Sequence, residues 1–320
     1  MGSEFGRRAF VVSIVLSAVF TYAFLYVAQA VPFLLDRVLR RFFPDVPLGM
    51  WDEAIESMLP YGYVALAVAV LLVIAGLVGR RLWLSKFGAL VLYIPTFGYF
   101  AVAMFLLAGV GVLRLLWLPV IQPGVWRLGH AVLLPVHLFI GFLTSVLGLG
   151  TPYSLGPPVS LFLRALGIFV FFLGVASWLY GRYQGLRVID IWIYRYSRHP
   201  QYLGFLIWSY GLLTLVAYRI YVRGAFAEPP TLIWLIMACL LTLVALREEG
   251  EMVKRHGEEY LAYASKTPFY LPLPRPLVAL LTLPHRLLRY EIGSWRRGGL
   301  VILIYAAVIV LISYLIYCLG

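Results

Sequence analysis

Cysteine is almost missing from this chain: Cys239 and Cys318 are the only two in 320 residues, and both fall inside apolar stretches. They offer no disulfide framework and no zinc spacing, and read as small reduced hydrophobes. Charge is scarce as well. Asp, Glu, Lys and Arg make up 12% of the residues, against roughly 25% in soluble domains. Acidic side chains are the scarcer sign, 14 against 26 basic, for a net charge of +12. Phosphate-cradling glycine loops, hydrolase elbows, internal repeats and low-complexity runs are absent from the sequence too. What fills the chain is apolar: 62% hydrophobic residues and a mean hydropathy of +0.91, which exclude an ordinary soluble domain.

A span needs about 20 apolar residues to cross roughly 30 Å of hydrocarbon. About eight such stretches are expected, near 9–33, 60–79, 87–113, 128–149, 159–180, 203–222, 230–246 and 299–319. The opening Met1-Gly2-Ser3-Glu4-Phe5 reads as a remnant of joined restriction sites and is set aside; the first stretch, lacking a small-residue cleavage site, reads as a retained span. The expected class is an all-α polytopic membrane bundle with a C-terminal cytosolic cap. Threading eight spans places 18 of the 26 basic residues on one face, including Arg195, Arg198 and all of 247–298. The positive-inside bias makes that face cytoplasmic, with both termini outside. Basic residues at span ends are thereby accounted for without nucleic acid.

Three pieces follow: 1–158, with four spans and little chemistry; 159–272, with three spans and nearly all the suggestive polar residues; and 273–320, a basic segment followed by the last span. The glycine- and proline-rich stretch 148–158 reads as a loop. Pro284-His285-Arg286-Leu287-Leu288-Arg289-Tyr290 reads as an interfacial amphipathic helix whose cations face lipid headgroups, an anchor. His130 and His137 stand about 10.5 Å apart on a helix, too far to share a metal ion.

Two clusters carry the chemistry. Tyr194-Arg195-Tyr196-Ser197-Arg198-His199-Pro200-Gln201-Tyr202-Leu203-Gly204 opens a helix, and proline favours the first helical turn. The free amides of a helix start, with Arg195 and Arg198, suit a carboxylate or phosphate. Gly204 allows close approach by a ligand or by a neighbouring helix. The next apolar hairpin returns the chain to the same face at Arg247-Glu248-Glu249. The two carboxylates suit ribose hydroxyls or an ammonium. Beyond them Glu258 and Glu259 read as a solvated face, while Tyr260 and Tyr263 share one face and can wall a ligand or form an interfacial aromatic belt.

In this order and spacing, Arg198-His199-Pro200-Gln201-Tyr202-Leu203-Gly204, then Glu248-Glu249, Gly257, Tyr260, Tyr263, Pro268 and Pro272, the chain resembles the catalytic core of the isoprenylcysteine carboxyl methyltransferase and phospholipid methyltransferase superfamily over roughly residues 180–272. The resemblance implies an integral membrane methyltransferase with S-adenosylmethionine as cofactor. It implies a cofactor pocket from Tyr196, Arg198, His199, Pro200, Tyr202, Leu203, Gly204, Glu248, Glu249, Tyr260 and Tyr263. The catalytic candidates are Glu249 and, beside it but not mapped by the resemblance, Arg247 and Arg255, either of which can orient a carboxylate acceptor. The family usually has glycine two residues before Tyr194; Trp192 stands there, which bears on the approach to the pocket.

Methyl transfer from a sulfonium is an in-line displacement that chiefly requires positioning in a dry site. A carboxylate acceptor needs no base, whereas an amine would need one, with Glu248, Glu249 or His256 as candidates. The expected acceptor is lipophilic, a prenylated cysteine or a lipid headgroup, entering from the bilayer. Two other classes remain. One is an NADPH-dependent sterol-type reductase, against which Pro200 and the Glu248-Glu249 pair speak; the other is a lipid-binding membrane protein without catalysis.

Overall fold

A computed structural model describes residues 2–46, 48–79, 82–93, 107–120, 125–218 and 229–317. The fold is all-α, with no strand among the described residues. The α-helices are α1 (Gly2–Leu39), α2 (Trp51–Val78), α3 (Leu82–Tyr93), α4 (Leu134–Ser145), α5 (Pro152–Tyr183), α6 (Pro200–Ala217), α7 (Thr231–Lys266), α8 (Arg275–Leu281), α9 (Leu283–Leu287) and α10 (Trp295–Tyr317). Short 3-10 segments precede α2 and α4, cover Gly109–Val120, and lead into α6 as Trp192–Arg195.

Among the described residues, six helices are long and apolar enough to cross a membrane: Gly6–Leu39, Asp52–Gly76, Arg127–Ser145, Pro152–Tyr183, Thr231–Lys266 and Trp295–Ile316. On five of them large apolar side chains, Phe20, Val68, Leu138, Phe162 and Leu303 among them, are exposed, whereas those of Thr231–Lys266 are not. In a soluble protein that surface would drive association; in a bilayer it meets lipid. The expected stretches 87–113 and 203–222 run partly outside the described residues, so the six helices are a count of the described part and not of the eight expected spans.

One boundary moves. The stretch read as a loop to residue 158 turns helical at Pro152. Thr151 and Ser154 explain it: the Thr151 N–H donates to Ser154 Oγ at 2.8 Å and the Ser154 N–H to Thr151 Oγ1 at 3.2 Å. This reciprocal cap satisfies amides that a helix start leaves free, and the proline at the first helical position has no N–H to lose.

By contacts the chain falls into two units. The second comprises Tyr26–Leu163, Ser209–Leu241 and Ala306–Gly320. Its core is Val132, Leu133, Val136, Ile140, Leu213 and Leu235. Several polar groups around it are paired. His130 Nδ1 meets Thr231 Oγ1 at 3.0 Å, Ser160 Oγ donates to the Gly211 carbonyl at 2.7 Å, and Ser313 Oγ accepts the Ala131 N–H at 2.9 Å. His130 is thus a satisfied core histidine. His137 packs edge-on against Tyr218 at 5.6 Å, and no metal-holding group of His, Cys, Asp and Glu occurs among the described residues.

The first unit comprises Met1–Leu25, Arg164–Trp208 and Thr242–Tyr305. Within it α5 and α6 cross backbone against backbone. A Cβ on Gly204 would lie 2.5 Å from Phe171 N and 2.7 Å from the Gly167 carbonyl, and one on Gly167 would lie 2.4 Å from Trp208 N. Gly204 therefore serves the close approach of a helix. Further along, Gln201 Nε2 donates to the Gly174 carbonyl at 3.2 Å, which fixes the first turn of α6 on α5.

Candidate functional site

The site lies within the first unit, where the turn before α6 meets the second half of α7. Pro200 is the first residue of α6, and the Leu203 N–H closes the first turn on the His199 carbonyl at 2.9 Å. The Arg198 N–H donates to the Pro268 carbonyl at 3.0 Å, tying the motif to the segment after α7. Two neighbours support it. Tyr194 donates its hydroxyl to Gln201 Oε1 at 2.9 Å, and Tyr263 donates to the Tyr194 carbonyl at 2.8 Å. Burial holds the Tyr194 phenol well above its ordinary pKa, so it is a permanent donor.

At the centre is Glu249, with 0% exposure. Its Oε1 lies 2.8 Å from Arg198 Nη1, 3.2 Å from His199 Nε2 and 3.4 Å from the Tyr260 hydroxyl. A carboxylate only accepts, so His199 carries its proton on Nε2 toward it. The other oxygen, Oε2, is buried with no hydrogen bond. Arg198 matches it from the cationic side. Nη1 is an ion-pair partner by distance but lies off the hydrogen-bond direction, and neither it nor the buried Nε makes a hydrogen bond. Buried polar atoms are almost always satisfied, and leaving one empty costs about 1–3 kcal/mol. A buried acceptor and a buried donor, both open beside a helix start, therefore suit a ligand with an ammonium and a carboxylate close together.

Tyr260 reaches Glu249 because α7 is broken. Eleven residues of straight helix would separate the two by about 16 Å. At Gly257 the backbone takes φ 52°, ψ −128°, a conformation closed to side-chain-bearing residues at low cost, and the chain after it folds back over the site. Glu258 and Glu259 then point outward, exposed as expected, while Tyr260 is buried. The rings of Tyr260 and Tyr263 lie 5.9 Å apart as part of a packed cluster with Val188 and Ala264.

Of the sequence candidates, Arg198, His199, Glu249 and Tyr260 come together directly, and Tyr202 joins through Glu248, donating to Oε1 at 3.0 Å. Pro200, Leu203 and Gly204 shape the start of α6 rather than present side chains. Three candidates fall elsewhere. Tyr196 is 63% exposed at the end of the 3-10 turn, and Arg255 is exposed. Arg247 is buried, but its guanidinium stacks over the Trp295 ring at 5.0 Å. At about 100° per residue, Arg247 is turned some 200° from Glu249 on the same helix, which explains the divergence.

Sequence reasoning missed an aromatic pair. The Phe269 ring lies 4.7 Å from that of His199 and 5.4 Å from the Arg198 guanidinium carbon, and packs edge-on against Tyr270 at 4.6 Å. Tyr270 in turn shares a 3.2 Å hydroxyl contact with Thr242. The two flanking prolines, Pro268 and Pro272, were the signal that this stretch is held in place. Trp192, where the resembled family carries glycine, keeps the glycine-like backbone: its φ is 49°. Stacking on Tyr180 at 4.9 Å and edge contact with Phe10 at 5.5 Å offset a strain of about 1–2 kcal/mol.

Residues 183–267, about a quarter of the chain, match a family described as a protein of unknown function (DUF1295). That family is related to steroid 5-alpha-reductase-like and methyltransferase-like membrane proteins. No curated protein and no solved structure matches the chain. The matched stretch contains Arg198, His199, Tyr202, Glu248, Glu249 and Tyr260.

Proposed function

We propose that this chain is a multi-pass membrane methyltransferase that takes S-adenosylmethionine from the cytoplasmic side and methylates a lipophilic acceptor. The observation that carries this reading is the half-used Glu249 carboxylate beside the half-used Arg198 guanidinium. An amino-acid head group complements that pair: its ammonium answers Oε2, and its carboxylate answers the Arg198 donors and the α6 start. Glu248, held by Tyr202, is the nearby acceptor suited to hydroxyls. Bound there, the cofactor supplies a methyl group on a positively charged sulfur.

The protein's own part is positioning and exclusion of water. His199 and Tyr260 fix the Glu249 carboxylate from two sides, and the folded-back segment after Gly257 covers it. Phe269 and Tyr270 bring aromatic faces to the same place, where a cationic sulfur is favoured. A carboxylate acceptor requires no proton transfer, in keeping with a site whose acid is tied into an ion pair. The exposed apolar flanks of the helices favour an acceptor delivered through the bilayer, with a prenylated cysteine or a phospholipid headgroup as the two candidates.

Calorimetric titration of the detergent-purified protein with S-adenosylmethionine and with NADPH tests the reading. Saturable binding of S-adenosylmethionine is expected, weakened at least about thirtyfold, or roughly 2 kcal/mol, in Glu249→Ala. NADPH binding alone would instead assign the core to the reductase class. Binding of neither would leave a lipid-binding role. Radiolabelled methyl transfer to prenylcysteine analogues, ethanolamine phospholipids and short water-soluble acids then identifies the acceptor; preference for the soluble acids would overturn the lipophilic assignment.

A further inference from the structure

Residues 275–297, from the start of α8 into the first turn of α10, are not used by the site chemistry, yet they are built in an unusual way. From Arg275 to Arg297 the segment carries five arginines and a single carboxylate, Glu291. Arg286, Arg289, Arg296 and Arg297 are exposed. So are Leu277, Val278, Leu281, Leu283 and Leu287, the last at 79%. Exposed leucines on two short helices, with exposed arginines at Arg286, in the turn after it and in the first turn of α10, fit a surface with hydrocarbon below and negative charge above.

The segment is also fastened at both ends. The Tyr305 hydroxyl of α10 meets the Leu281 carbonyl and, at 3.2 Å, His285 Nδ1. After α9 the chain turns back through Arg289, whose φ of 48° is unfavourable for a non-glycine residue, and Gly293, φ 91°. Arg297 Nη1 secures this turn by donating to the Arg289 carbonyl at 2.8 Å, with Glu291 Oε1 3.4 Å away. The turn lands on the second half of α7. A Cβ on Gly250 would lie 3.0 Å from the Gly293 carbonyl, Ile292 packs into the Tyr260 cluster, and Trp295 receives Arg247. Tyr290 sits close enough to feel the charges of Glu249 and Arg198.

We infer that residues 275–297 form a binding surface for the phosphate-bearing headgroups of anionic lipids, and that its occupation is transmitted to α7 through the 289–295 turn. Charge complementarity selects the occupant: a strap with five cations and one anion gains little from zwitterionic headgroups. Each arginine near an anionic bilayer contributes about fivefold in affinity. The link to α7 makes the effect reciprocal, since whatever orders the turn also orders the helix it rests on. The inference stands whether or not the site transfers methyl groups.

The test uses the full chain in nanodiscs of phosphatidylcholine alone or mixed with phosphatidylglycerol. Lipid retention is read by native mass spectrometry and amide protection by hydrogen exchange. Phosphatidylglycerol is expected to be retained preferentially and to slow exchange in 290–298 and in 247–256. Arg286→Gln with Arg296→Gln should lower that preference by roughly twentyfold to thirtyfold. Trp295→Ala should keep the preference while losing the protection in 247–256. Equal retention of the two lipids, or a preference surviving the double substitution, overturns the lipid surface. Protection of 247–256 persisting in Trp295→Ala overturns the coupling. Inorganic phosphate in phosphatidylcholine nanodiscs should leave exchange unchanged; if it reproduces the protection, the surface is a free-phosphate site and the lipid assignment falls.

Discussion

Two acid–base clusters in this protein invite comparison. In the second unit Asp36 accepts from Arg40 Nε at 2.6 Å on one oxygen and from the Val110 N–H at 3.0 Å on the other, while Arg40 Nη1 reaches Asp45 at 3.1 Å. Both Asp36 oxygens are engaged, and the group is partly exposed. In the first unit Glu249 is fully buried, crowded on one oxygen and empty on the other. A carboxylate whose task is to pin the end of a helix to a turn is used up by that task. One that stays half-open in a buried place has capacity for something outside the chain.

The comparison is broken most forcefully at Glu249. Glu249→Ala leaves the Arg198 charge buried without its partner and should lower stability by about 3–5 kcal/mol, read as a fall in melting temperature of the purified protein. Adding Arg198→Met should recover a good part of that loss while ligand binding stays absent; no recovery would mean the pair is not coupled. Gly257→Ala comes next. No atom lies within 4 Å of the position a Cβ would take, so its expected cost of about 1–3 kcal/mol is conformational strain alone. It should also release Tyr260, seen as faster hydrogen exchange in 258–266.

Asp36→Ala is the control from the other cluster. It should cost about 1 kcal/mol, as a partly exposed pair does, and leave ligand binding unchanged. A loss of binding there would erase the distinction between the clusters. The smallest effect concerns pH. Burial first, and the Glu249 charge second, push the Tyr290 phenol up to about 12 from an ordinary 10, with Arg198 opposing. Between those values the unfolded chain sheds this proton first, so the stabilisation is complete below pH 10 and is lost as pH rises to about 12. Tyr290→Phe should show a shallower fall in melting temperature across that window.

Much of this was legible in the sequence because it depended on local rules. Hydropathy marked the membrane-crossing helices, proline marked the start of α6, and one apolar hairpin returned Glu249 to His199. The rest depended on geometry that no periodicity encodes. Tyr196 follows a 3-10 turn, where helical spacing says nothing about direction. Arg247 and Glu249 are neighbours in sequence and point to different faces. Phe269 reaches His199 across seventy positions, and Trp192 takes a backbone conformation its residue type disfavours.

The crossing of Gly167 with Gly204 has one more consequence. Two backbones in contact form a keyed joint with a single register: a slide by one residue would drive Leu203 or Phe205 into space that does not admit even a methyl group. The wall of the site built on the start of α6 is therefore a fixed jaw. Any opening of the site would have to come from the facing segment beyond Gly257, and it would have to break the Tyr263–Tyr194 and Arg198–Pro268 hydrogen bonds.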